Sequence, residues 1–128
     1  MCTAITEGIS IRVVNNFVEE YSNIDKQKFF FKYTIEIENK SRFSVQLLRR
    51  DWYIFDSLNL PKIVSGEGVI GKQPILKPGE SYTYSSGCEI NSEIGYMTGH
   101  YTFVNLETKT EFPALIPRFD LYFPAVLN

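Results

Sequence analysis

Histidine, tryptophan and cysteine are scarce in this chain, and each shortage removes a class of chemistry. With His100 as its only histidine, the chain has no second imidazole for an acid–base pair. Metal sites of the zinc type need several convergent nitrogen or sulfur donors, so His100 is read as a structural or solvated residue. The two cysteines, Cys2 and Cys88, are too few for a disulfide framework and too far apart for a closely spaced metal pair. Both are expected to be free thiols. The serines lack a G-x-S-x-G elbow, so no activated nucleophile is expected and no catalytic residue is assigned. Net charge is also small: 13 basic against 15 acidic residues leave no broad positive field for nucleic acid or an anionic membrane. No apolar run reaches the roughly 18 residues of a spanning helix, and the start, MCTAITEGISIRVV, has no basic segment followed by a continuous apolar one. The expected location is the cytoplasm. Nor does a 3.6-residue apolar period persist for three turns, which excludes an amphipathic-helix architecture.

What the chain has in quantity is aromatic and β-branched side chains. Its 128 residues are 44% hydrophobic and 15% aromatic, a composition that packs on pleated surfaces and buries a core without cross-links. One domain, residues 1–128, is expected. Alternation is clearest where Phe29, Phe31, Tyr33, Ile35 and Ile37 share one face against Phe30, Lys32, Thr34, Glu36 and Glu38. A first strand is read at Ile9–Val13 and a partner strand at Phe43–Leu47, after which the apolar phase moves to Trp52 and Ile54. One step of register reverses every side chain, so a bulge is expected near Leu47–Arg50. Trp52, the sole tryptophan, is the expected centre of the core. Further strands are read at Ile63-Val64, Ile75-Leu76, Tyr82–Ser85 and Met97–Val104, with a loop over Cys88–Gly95. A hairpin at Leu106–Lys109 leads to a last strand carrying Leu115, Phe119, Leu121 and Phe123. Its prolines, Pro113, Pro117 and Pro124, place part of it at an edge or bulge. Seven or eight short strands at about ten-residue intervals predict an all-β antiparallel sandwich.

The segment Val64–Cys88, VSGEGVIGKQPILKPGESYTYSSGC, holds five of the eight glycines and a literal G-x-G-x-x-G at Gly66-Glu67-Gly68-Val69-Ile70-Gly71. Dinucleotide sites need a helix opening at the third glycine, and Pro74 and Pro78 forbid one here. Two readings remain for residues Gly66 to Lys72. One is a tight loop whose Val69 and Ile70 suit a dry contact with the sandwich or a partner. The other is an anion-binding concavity of backbone N–H groups, assisted by Lys72, for pyrophosphate or nucleotide phosphates. Two smaller clusters carry charge. Glu36 and Glu38, with Glu19 and Glu20, resemble oxygen ligands but read better as a solvated face, and no metal ligand is assigned. Arg49 and Arg50 flank Asp51 as an ion-pair network or an anion contact.

Several of these motifs together resemble the bacterial ApaG family over about residues 5 to 124. They are Val45-Gln46-Leu47-Leu48, Trp52, Ile54, GEGVIGKQPILKPGE, Tyr84-Ser85-Ser86-Gly87, Gly95, Met97-Thr98-Gly99-His100-Tyr101 and Ile116-Pro117-Arg118-Phe119. The chain departs from the family pattern at Asp51, where His or Tyr is common, and at Asp56–Asn59, which lacks a turn glycine. The resemblance implies an immunoglobulin- or fibronectin-III-like sandwich and a non-enzymatic module without a cofactor. It also implies a link with cobalt or magnesium homeostasis. The expected partner is another protein, with a phosphate-bearing small molecule at Gly66–Lys72 as the alternative.

Overall fold

The computed structural model describes residues 1–127. Nine strands follow one another: β1 (Cys2–Thr6), β2 (Ile9–Phe17), β3 (Phe29–Asn39), β4 (Val45–Asp56), β5 (Lys62–Glu67), β6 (Ile75–Leu76), β7 (Ser81–Ile90), β8 (Ile94–Asn105) and β9 (Glu111–Tyr122). Three 3-10 turns cover Glu19–Tyr21, Ile24–Lys26 and Pro124–Leu127. One sheet has the order β1-β2-β3-β7; the other runs β5-β4-β8-β9, with β6 paired to β4. All pairings are antiparallel. The result is the expected immunoglobulin/fibronectin-III-like sandwich.

Period-two patterning explains how the sheets meet. The odd residues of β3 from Phe29 to Ile37 are buried, and β2 sets Ile11 against Ile37 and Val13 against Ile35. From the opposite sheet come Trp52, Met97, Tyr101, Phe103, Ile116 and Phe119, all buried. Trp52 sits at the crossing, edge-on to Tyr33, Tyr101 and Phe119 with ring centroids 5.5, 6.4 and 5.9 Å away. Such edge-to-face geometry satisfies the ring quadrupoles as well as burying area.

Bulges occur where the apolar phase shifts. The register between β4 and β8 slips between Leu47 and Arg49, as expected, and brings Trp52 inward. A second slip between Met97 and Gly99 leaves Pro117 and Arg118 in the bulge of β9, which is an edge strand. That bulge corrects one expectation. Leu115 faces solvent at 58% exposure while Ala114 and Ile116 are buried, because Pro117 and Arg118 stand opposite the single Thr98 and the one extra residue reverses the phase set by Phe119 and Leu121. The loop expected over Cys88–Gly95 shrinks to three residues, since β7 continues to Ile90 and β8 begins at Ile94. Strand β1 escaped the sequence reading because its short, half-buried alternation carries little signal.

The two lateral sides of the sandwich differ, and this difference positions the site. On one, β1 and β2 pack on β9, tied by the Leu115 N–H donating to Thr6 Oγ1 at 3.2 Å and Asn15 Nδ2 donating to the Asp120 carbonyl at 2.8 Å. On the other, the end strands are β5 and β7. Between these edges lies a narrow groove, with Leu60 and Lys62 on one lip and Glu89 and Ile90 on the other.

Candidate functional site

The glycine segment folds at the end of that open side. Gly66 and Glu67 are the last residues of β5, paired with Arg50 and Arg49 of β4. The Gly68 N–H donates to the Leu48 carbonyl at 2.8 Å, fixing the chain on the β4 bulge. Val69 and Lys72 then exchange both backbone bonds, at 2.8 and 3.0 Å, around Ile70 and Gly71. Both central residues have positive φ, 48° and 72°, the geometry of a primed hairpin turn. Gly68 also has positive φ, 60°, and a Cβ there would strike the Lys72 carbonyl. The two apolar residues part company: Val69 is wholly buried, while Ile70 is 60% exposed at the tip.

Arg50 organises the segment from beneath. Past the bulge its side chain lies on the inner phase of β4, and Nη1 donates to the carbonyls of Glu67 and Gly68, each at 2.9 Å. Gly66 makes room for it, since a Cβ at that position would lie 2.8 Å from Nη2. The glycine motif therefore wraps its carbonyl oxygens around a guanidinium. Three of the amides that a phosphate nest would use, those of Gly68, Val69 and Lys72, are bonded to the chain's own carbonyls. Neighbouring Arg49 instead points outward to Glu111 at 3.0 Å. Sequence reading marked the Arg49–Asp51 cluster without separating these roles. The signal was present in the shifted apolar phase, which places Arg50 inside and Arg49 outside.

Beside Arg50 lies a cavity of about 210 Å³. Trp52, Tyr33 and Tyr84 form its aromatic walls, Ser86 adds a hydroxyl, and Val69 and Ile70 close it from the loop. Lys72 is not part of this lining. Burial pushes the Tyr33 phenol up, against the lowering effect of the Ser86 hydroxyl. Tyr84 is also driven upward by burial, and its hydroxyl hydrogen-bonds that of Tyr101, whose own phenol burial raises well above its ordinary range. These hydroxyls therefore stay protonated at neutral pH.

The remaining candidates have structural partners. His100 Nε2 lies 3.4 Å from Asp51 Oδ2, and Ser65 Oγ donates to the other Asp51 oxygen at 2.6 Å. With the carboxylate between hydroxyl and imidazole, His100 does not reach the serine, so the trio lacks the serine–histidine contact of an activated nucleophile. Glu36 pairs with Arg12 at 2.8 Å on a solvated face. Among the described residues, no three His, Cys, Asp or Glu side chains converge as a cation would require. Cys2 and Cys88 are free, and burial pushes the Cys88 thiol up to about 11, partly opposed by nearby Lys62. No helix of the described residues is long and apolar enough to cross a membrane.

Comparison with known proteins agrees with this architecture. The model of the ApaG domain matches residues 19–105. The ApaG protein of Methylobacterium sp. strain 4-46 is 46% identical over 126 residues, covering 98% of this chain and 96% of its own. The ApaG protein of Methylocella silvestris is likewise 46% identical with the same coverage. The crystal structure of an ApaA protein from Bordetella pertussis superposes with a TM-score of 0.86 at 36% identity, over 91% of this chain and 94% of that one. Near-full coverage at these identities, on the same sandwich, shows that the chain belongs to the ApaG family.

Proposed function

We propose that this chain is a non-catalytic interaction module that engages a partner protein through the Ile70 tip and the adjoining edge of β5. The observation that carries the reading is the conformation of Ile70. A β-branched residue at φ 48° is a steric outlier, costing about 1–2 kcal/mol, and glycine or asparagine would relieve it. Yet the side chain is 60% exposed, so packing within the chain offers little in return. Strain retained at an exposed position is the mark of a functional constraint. The neighbouring edge adds apolar surface, with Leu60, Ile63 and Val64 exposed by 88%, 77% and 40%. Strand β5 is an open edge whose backbone can accept another strand, and such edges are normally blunted unless used.

A phosphate-binding role for Gly66–Lys72 has less support, because the loop turns carbonyls toward Arg50 and uses amides internally. The cation link implied by the family enters this reading through the partner's role. The test is capture from cell extract on immobilised wild-type chain and on Ile70→Asn and Ile63→Lys variants, each verified as folded. One or more proteins should be retained by the wild type and lost from both variants. An identical captured set on all three chains would dismiss it.

A further inference from the structure

We infer that the cavity beside Arg50 is a binding site for an organic carboxylate with an aromatic or branched apolar body. Arg50 is part-buried and, among the described residues, has no carboxylate partner, whereas Arg12, Arg49 and Arg118 each pair with an acid and the exposed Arg42 lies over the Phe43 ring. Its two bonds go from Nη1 to neutral carbonyls, leaving Nε and Nη2 without a protein acceptor. Those two nitrogens form the planar fork that binds both oxygens of a carboxylate. A half-buried cation without a counter-ion leaves charge-assisted donors unused, and an anionic ligand would supply their partner.

The walls choose the ligand's body. No acidic residue lines the cavity, so no fixed negative charge competes for the guanidinium. Hydroxyls of Tyr33, Tyr84 and Ser86 can donate to an oxyanion, and burial keeps both phenols protonated. Trp52, Val69 and Ile70 are apolar. A cavity of ~150 Å³ takes benzene, and this one, at about 210 Å³, has room for such a ring with a carboxylate attached. A polyphosphate is poorly matched, because one guanidinium among aromatic walls neutralises a single negative charge. Two sources share this chemistry: a free small carboxylate, or the terminal carboxylate of another chain ending in an apolar residue.

The test is an NMR titration at low chloride, following the Arg50 Nε–H and Trp52 indole N–H resonances. The probes are benzoate, a tetrapeptide ending in phenylalanine, the same peptide amidated, and pyrophosphate. Saturable shifts of both resonances with benzoate or the free-ended peptide below about 1 mM are expected. Benzoate acting alone identifies a free metabolite as the source, and a peptide response abolished by amidation identifies a chain end. Arg50→Gln should weaken binding at least tenfold. Because that change also disturbs the loop, Ser86→Leu serves as a second variant; it fills the cavity while leaving Arg50 and its two carbonyl bonds in place, and it should abolish binding. No saturable shift at 10 mM from either carboxylate would overturn the inference. So would binding unaffected by Ser86→Leu, or a tighter response to pyrophosphate than to benzoate.

Discussion

At the scale of single residues, the molecule depends on a few side chains with unusual surroundings. Trp52 is 4% exposed and touches aromatic rings from three other strands, so Trp52→Ala should cost about 3–5 kcal/mol through lost transfer energy and a cavity. Its denaturant midpoint measures this, and an unchanged midpoint would remove Trp52 from the core. The two positive-φ glycines of the loop should differ. Gly68→Val adds a collision with the Lys72 carbonyl to the backbone strain, whereas a Cβ at Gly71 meets no atom within 4 Å. The first should therefore destabilise by clearly more than the roughly 1 kcal/mol of the second. Equal melting temperatures for the two variants would mean that the loop yields at Gly68. Trp52 was legible from the sequence because ring size and uniqueness identify a core residue. Arg50 was harder: its neighbours Arg49 and Asp51 are also charged, and only the bulge decides which of the three turns inward.

At the scale of elements, sequence period located the long strands and missed what depends on tertiary pairing. Alternation from Phe29 to Ile37 reads directly as β3, while Leu115 was misplaced because a bulge three residues away reverses the phase. The hairpin of Val69–Lys72 was marked by its glycines, but the strained partner, Ile70, could not be seen without the backbone. Replacing Ile70 by asparagine, the residue preferred in such turns, should raise stability by about 1 kcal/mol. A urea titration checks this, and a loss of stability would show that Ile70 packs more than its exposure indicates. The loop after β4 gives a pH signature. Burial alone would raise the Asp56 carboxyl, but the Ser92 hydroxyl, the Asn91 and Leu58 amides and the Asn59 side chain hold it below its ordinary value. A lowered folded pKa contributes stability above the unfolded value near ~3.9 that disappears as pH falls through the folded one. Asp56→Asn should thus be less stable than wild type by a constant margin above about pH 5, and the gap should narrow below about pH 4. A gap independent of pH would mean that the hydrogen bonds, and not the charge, do the stabilising.

At the scale of the whole molecule, the sandwich is closed along one side by β1, β2 and β9 and open along the other, where β5, β7 and the Ile70 tip lie. The strained Ile70, the exposed Leu60, Ile63 and Val64 and the acid-free cavity lie on this open side, and the proposed partner is placed there for that reason. Sequence motifs were enough for the family and the fold, because each is spread over the chain. They were not enough for the proposed binding face, which is assembled from a turn, an edge and an inward arginine separated in sequence. The most direct measurement is a calorimetric titration of the purified, captured partner into wild-type chain and into Ile70→Asn, with the melting temperature of each recorded in the same buffer. Affinity should be weaker by at least tenfold, about 1.4 kcal/mol, in a variant that melts no lower than wild type. Equal affinity for the two chains would contradict it.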